Sequence, residues 1–246
     1  MLSLLLLFFI ATAFAQDDLQ ARKDSLRLAL TQMQGSEKID TYSRLATCYM
    51  MEVEDNLKMD TLFTLYEEMY EEAVMQGDFK SCGISMERRV SAYFNTRRYK
   101  EVFRQAPGWM DFLAKHEEWS NYYLIVNTLV MSYTQMSESD NALNLAQEMY
   151  EQAKQQQYNA GIGIMLQSIG FIYLMQDRYE ESENFFRQSI ELLQKEKDQV
   201  SFLLRTYLYL TQPLRPPPAI PIYSPYPTGL TAARVPSVQP LRQPMP

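Results

Sequence analysis

Imidazoles and thiols are scarce in this chain: one histidine, His116, and two cysteines, Cys48 and Cys82, among 246 residues. A structural zinc site takes four nitrogen or sulfur ligands, so this set argues against one. His116, in the run Leu-Ala-Lys-His-Glu-Glu-Trp, reads as a surface histidine near a helix end. Adjacent carboxylates at Glu67-Glu68, Glu71-Glu72 and Glu180-Glu181 have the chemistry of a general acid–base pair. On amphipathic helices such clusters belong to the solvated face. Gly161-Ile-Gly163 lacks the third glycine and the preceding strand of a dinucleotide fingerprint; it reads as easing the turn into a helix pair. The 15 methionines and 17 tyrosines fall mainly at core spacing. No catalytic, metal-binding or cofactor-binding constellation emerges, and the expectation is a non-enzymatic protein without a cofactor.

What the spacing does organise is architecture. Tyr93, Tyr133 and Tyr173 lie forty residues apart. Three residues before each stand Val90, Val130 and Gly170, and nine after each stand Val102, Ala142 and Ser182. A fixed period of this length marks stacked helical units that bury their apolar faces only against their neighbours. Tyr49 precedes Tyr93 by 44 residues, which predicts a longer turn near Val53 to Asp60. The expected fold class is all-α: a right-handed superhelical solenoid of about four antiparallel helix pairs over residues 37–198. Residues 16–36 supply a leading helix over the open end, carrying Leu19, Leu26, Leu30 and Met33 and stopped by Gly35. In the second pair, Pro107 and Gly108 are expected to interrupt the second helix. Residues 199–211 begin an incomplete fifth repeat, because Pro213 occupies the place of the next phased tyrosine.

The ends of the chain have different compositions from the middle. Residues 1–15 form an apolar run closed by small residues at Ala13 and Ala15, the pattern of a secretory signal cleaved after Ala15, which implies a periplasmic protein. Gln16-Asp17-Asp18 ends that run short of the roughly 20 apolar residues of a membrane span. No Lys or Arg precedes it, a departure from the usual signal that leaves room for a start further upstream. In an oxidising compartment an even cysteine count invites a disulfide. The repeat register instead offsets Cys48 from Cys82 by about ten residues along parallel helices, roughly 15 Å, well past the ~7 Å between Cα atoms that a disulfide spans. Two separate packed thiols are expected.

Residues 212–246 hold eleven of the 12 prolines and no Asp, Glu or Lys. A disordered tail is expected there, either a Pro-rich linker or ligand for aromatic grooves or the product of a shifted frame or truncated gene. All 30 acidic residues lie between Asp17 and Asp198. Removing the four arginines at 205, 215, 234 and 242 from the 23 basic residues leaves 19, so the body carries 19 − 30 = −11. Nucleic-acid affinity rests on clustered Lys and Arg, and an acidic body excludes it as a partner.

The clearest helix pair, residues 166–193, contains Ile169, Gly170, Tyr173, Tyr179, Ser182, Phe186 and Ser189. This set resembles the tetratricopeptide repeat, in which a small residue on the first helix lets an aromatic ring of its partner helix fill the gap. The resemblance implies that fixed positions of each first helix line an inner binding face. Carried over residue by residue, these are Glu87, Phe94 and Asn95 in the second repeat, Asn127, Met131 and Gln135 in the third, and Gln167, Phe171 and Met175 in the fourth. Amides mixed with apolar groups suit a protein or extended-peptide partner, and a homodimer is compatible with the same surface. Met131 and Phe171 equally fit helix packing. The paired lysines and arginine with which some family members clamp a carboxyl terminus are absent.

Over residues 16–210, and most tellingly over 139–195, the chain also resembles the exported sensory region of bacterial sensor histidine kinases that carry tetratricopeptide repeats. The resemblance implies a signal-input module. His116-Glu117 lacks the basic residue and Pro-Leu of that family's phosphoacceptor motif, and no kinase core is present. Two functional readings follow. One is a non-catalytic binding region of a longer histidine kinase, truncated before its membrane span and kinase core. The other is a free-standing periplasmic scaffold for envelope protein assembly.

Overall fold

The computed structural model describes residues 18–50, 56–196 and 199–211, and ten helices make up nearly all of it. They are α1 (18–30), α2 (Ser36–Met50), α3 (Asn56–Gln76), α4 (Phe79–Asn95), α5 (Tyr99–Lys115), α6 (Trp119–Gln135), α7 (Ser139–Gln155), α8 (Asn159–Met175), α9 (Tyr179–Leu193) and α10 (Val200–Thr211). No strand occurs among the described residues. The expected signal segment, residues 1–15, and the Pro-rich tail, residues 212–246, lie outside them.

From α4 onward a helix begins every twenty residues, at 79, 99, 119, 139, 159 and 179. The turns set this cadence. Gly77, Arg97, Glu117, Ser137, Gln157 and Asp177 all sit at a left-handed φ between 55° and 68°. In each turn the next residue's N–H returns to a carbonyl five residues back: Asp78 to Ala73, Arg98 to Tyr93, Glu118 to Leu113, Glu138 to Tyr133, Tyr158 to Ala153 and Arg178 to Tyr173, all at 2.8–2.9 Å. This is the Schellman closure, which satisfies carbonyls that the helix end would otherwise leave bare. The three phased tyrosines are thus the acceptors that close every second turn.

Consecutive helices from α2 to α10 pack against one another, as an α-solenoid requires. The even-numbered helices also pack side by side, α4 on α6, α6 on α8 and α8 on α10. Of these, α4, α6 and α8 form an inner row, nearly enclosed, and α3, α5, α7 and α9 lie over it. Burial follows: α6 and α8 are buried over most of their length, whereas α5, α7 and α9 bury one stripe each, such as Ala142, Ala146, Met149 and Ala153. The phased rings cross between the rows. Tyr93 stacks on Phe63 of α3 with centroids 4.5 Å apart, and Tyr133 meets Phe103 of α5 at 4.6 Å. The next equivalent is Leu143, and Tyr173 turns instead to Phe185 of α9 at 5.4 Å.

Small residues let α9 approach α8 closely. Ser182 donates to the carbonyl of Gly170 at 2.8 Å, and Ser189 to that of Gly163 at 2.7 Å. A Cβ on Gly163 would lie 2.7 Å from the Leu193 side chain.

Three local expectations are corrected. The four extra residues between Tyr49 and Tyr93 go largely into a helix rather than a turn over 53–60, since α3 starts at Asn56, inside the expected turn, and is 21 residues long against 17 for α5. The helix is one turn longer, and residues 51–55 lie outside the description. Pro107 does not interrupt α5, which runs unbroken from Tyr99 to Lys115. Pro107 and Gly108 are on the exposed side, while Val102, Ala106 and Leu113 bury the opposite stripe on both sides of the proline. That shared packing outweighs the ~3 kcal/mol that an interior proline costs a helix. Gly161 and Gly163 do not ease a turn; both are buried within α8, where a Cβ on Gly161 would meet the rings of Tyr158 and Tyr123 at 2.7–2.9 Å.

Candidate functional site

The nine residues expected on the inner face divide into two groups. Glu87, Phe94, Asn127, Gln167 and Phe171 are buried. Glu87, Asn127 and Gln167 occupy the same phased position on successive inner helices, and their polar groups are engaged. Asn127 accepts from the Ser168 hydroxyl at 3.0 Å, which ties α6 to α8. Gln167 donates to the Phe202 carbonyl at 2.8 Å and to the Thr206 hydroxyl, and it accepts from Arg205 at 2.7 and 3.1 Å, which ties α8 to α10. Glu87 accepts from Ser91 at 2.8 Å and faces the Arg88 guanidinium at 3.5 Å. Phe171 packs on Tyr209 of α10, centroids 5.3 Å apart, and Phe94 on Tyr99 at 5.7 Å. Buried polar groups need such partners; Asn127, Gln167 and Phe171 thereby hold one inner helix to the next, whereas Glu87 is satisfied within α4 and Phe94 packs on α5.

The remaining four reach the surface. Asn95 and Met131 are half-buried, and Gln135 and Met175 are exposed. Asn95, Gln135 and Met175 are again phased at forty residues, at the last residue of α4, α6 and α8. Because these helices run in the same direction and pack side by side, the three form a row along one rim of the inner layer.

A second concave feature lies elsewhere, between α3 and α5 with α4 as its floor. Glu67 and Tyr70 come from α3, Ser85 and Arg89 from α4, Gln105 and Trp109 from α5, around a cleft of about 200 Å³. Arg89 pairs with Glu67 through Nη1, and its guanidinium carbon is 5.2 Å from the Trp109 ring centroid. Its Nε–H is buried and meets no acceptor among the described residues, a state that costs about 1–3 kcal/mol when no partner supplies the bond. Ser85 donates to the Tyr66 carbonyl at the base of the cleft. Burial pushes the Tyr70 hydroxyl above its ordinary range.

Sequence reasoning passed over this cleft, although the repeat register carries its signal. Advancing Ser85, Arg89 and Gln105 by one period gives Ile125, Leu129 and Leu145, and by two gives Met165, Ile169 and Phe185. Three positions that are apolar in both later units are polar in this one.

The other expected features of the chemistry-bearing residues are plain. His116 caps the end of α5 and stacks on Phe79 with centroids 3.7 Å apart and on Phe112 at 4.6 Å. Cys48 and Cys82 are both buried, in separate apolar clusters, and no disulfide joins them. Among the described residues no group of three or more His, Cys, Asp or Glu side chains is placed to hold a metal ion. No helix among them is long and apolar enough to cross a membrane. The sequence matches no protein-family model, and no curated protein is significantly similar to it.

Proposed function

We propose that this chain is a non-catalytic scaffold of the tetratricopeptide-repeat type, a right-handed superhelix that binds a protein or extended peptide. The observation that carries the reading is the rim row of Asn95, Gln135 and Met175, one residue from each inner helix at a constant period. Packed helices lie roughly 8–10 Å apart, and an extended chain advances about 3.3 Å per residue. A peptide crossing the row therefore meets a new inner helix every third residue, with two amide groups for its backbone and one thioether for a side chain.

Export of the body by residues 1–15 places this binding surface in the periplasm, as the sensory input of a histidine kinase whose membrane span and kinase core lie further on. Val200, Leu204, Tyr207 and Leu208 of α10 are exposed. They stand one period after Ala160, Ile164, Gln167 and Ser168, which are all buried. A further helix covers this face in the reading proposed, and a free-standing scaffold for envelope assembly is the second reading.

The test is a display selection of extended peptides on the whole chain, followed by titration of the best binder. Gln135→Ala with Met175→Ala is expected to weaken it about tenfold or more without lowering the melting temperature. Unchanged affinity would move the binding surface elsewhere. Substrate turnover by the chain that a point substitution abolishes would end the scaffold reading. Translation of the downstream DNA in three frames separates the kinase from the free-standing protein.

A further inference from the structure

We infer that the cleft between α3, α4 and α5 is a binding site for a small carboxylic acid, with Arg89 as its anchor. Three facts on independent footings meet there. The register places polar Ser85, Arg89 and Gln105 where the two later units place only apolar side chains. The same place opens into a cleft of about 200 Å³. Its cation carries a buried Nε–H that no described residue satisfies.

The chemistry of the ligand follows from the groups presented. A guanidinium offers a planar fork that matches a carboxylate, and Arg89 already holds one such group, that of Glu67. Glu67 is the replaceable partner, since its side chain is 45% exposed whereas that of Arg89 is only 17% exposed. An entering carboxylate takes the guanidinium and Glu67 swings into solvent, so the buried cation never stands uncompensated. A doubly charged phosphate is disfavoured, because a single guanidinium shared with Glu67 is the only cation in the lining. Met86 and Trp109 offer an apolar wall, and Gln105 and Tyr70 offer polar groups beside it. The volume lies below the ~300 Å³ at which drug-sized pockets begin. The occupant is therefore the size of an amino acid: a carboxylate with a short apolar body, either as a free metabolite or as the end of a chain. The site is separate from the rim row, and its test does not depend on peptide binding there.

The experiment titrates the full chain with butyrate, butyramide and the tripeptide Gly-Gly-Val, following the Arg89 Nε–H and Trp109 indole signals by NMR. Butyrate is expected to shift both saturably, and butyramide to shift neither. Arg89→Leu, which installs the residue type of position 129, is expected to abolish the shifts of Trp109 while helical circular dichroism is retained. Glu67→Gln removes the internal competitor and is expected to tighten butyrate about threefold to fivefold, the scale of a partly exposed ion pair. That gain has the opposite sign to any effect of misfolding, so it decides the matter even if Arg89→Leu fails to fold. Tighter binding of Gly-Gly-Val assigns the carboxylate to a chain terminus, and tighter binding of butyrate to a free acid. Equal response to butyramide, no saturable shift with any probe, or weaker binding in Glu67→Gln would overturn the assignment.

Discussion

Phe186 fills the space that Gly170 leaves: a Cβ on Gly170 would stand 2.8 Å from two of its ring carbons. The equivalent positions one and two periods earlier hold Val130 with Ala146 and Val90 with Ala106. All six residues are buried, so the fourth unit reaches the same filled volume with the large and small residues exchanged. Gly170→Val is expected to lose about 1–3 kcal/mol through overpacking, and Phe186→Ala about 3–5 kcal/mol through a cavity. The double change Gly170→Val with Phe186→Ala recreates the earlier pairing and is expected to recover much of the combined loss. Urea denaturation of the four proteins measures this coupling. Simple addition of the two losses would show that the exchange of sizes is not a packing relation.

The turn residues make a prediction of opposite sign at neighbouring sites. Glu117 adopts φ 59° and Gly77 adopts φ 68° in equivalent turns. A side chain in that region costs about 1–2 kcal/mol, partly offset by the greater freedom glycine has in the unfolded chain. Glu117→Gly is therefore expected to raise the urea midpoint slightly, by up to about 1 kcal/mol of stability, and Gly77→Ala to lower it by a similar amount. The slope m should stay constant in both. A destabilised Glu117→Gly would mean that the glutamate side chain contributes more than its backbone conformation costs.

An ion pair between α2 and α3 gives the stability a defined pH dependence. Lys38 Nζ donates to Glu72 at 2.7 Å, and Gln76 donates to the same carboxylate at 2.8 Å. The Lys38 hydrogen bond holds the Glu72 carboxyl below its usual range against the opposing effect of burial, and it raises Lys38 in turn. Because the folded value of Glu72 is the lower one, its contribution is fully present above the unfolded carboxyl value near 4.3. It fades as pH falls through the folded value. At the alkaline end the same pair is lost as pH rises through the raised folded value of Lys38. Glu72→Gln is expected to cost under about 1 kcal/mol at pH 7 and nothing once the wild-type carboxyl is protonated. A cost that persists unchanged in acid would assign the effect to packing.

Thiol reactivity tests the enclosure of the first units. Burial pushes the Cys82 thiol up to about 11, and the side chain is wholly enclosed among Ile39, Met69 and Ala73. Cys48 is almost as deeply buried, against Leu45 and Leu62. Both are expected to resist an aromatic disulfide reagent at pH 8 and to react in parallel with unfolding in urea. Rapid labelling of the native protein would show that α2–α4 open far more readily than this packing implies.

The all-helical class and the forty-residue period are determined by the sequence alone, because each unit meets the same neighbours and so repeats the same apolar and small residues. The half-period is a different matter. Arg97, Glu117, Ser137, Gln157 and Asp177 range from cationic through neutral to anionic; what unites them is a left-handed backbone imposed by the returning N–H of the next residue. Only the folded helix ends decide that. Pro107 reads as a helix breaker in one dimension, and the packed stripe of Val102, Ala106 and Leu113 overrides it in three. Eight of the nine inner-face residues, all but Phe94, were legible as phased positions, but their exposure was not. Burial of Gln167 requires α10, and burial of Phe171 requires Tyr209, elements almost forty residues away. The polar trio Ser85, Arg89 and Gln105 was written in the same register all along. Tertiary structure alone brought it together with Glu67, Tyr70 and Trp109 around one cleft, because helices that are neighbours in space supply walls that no single helix carries.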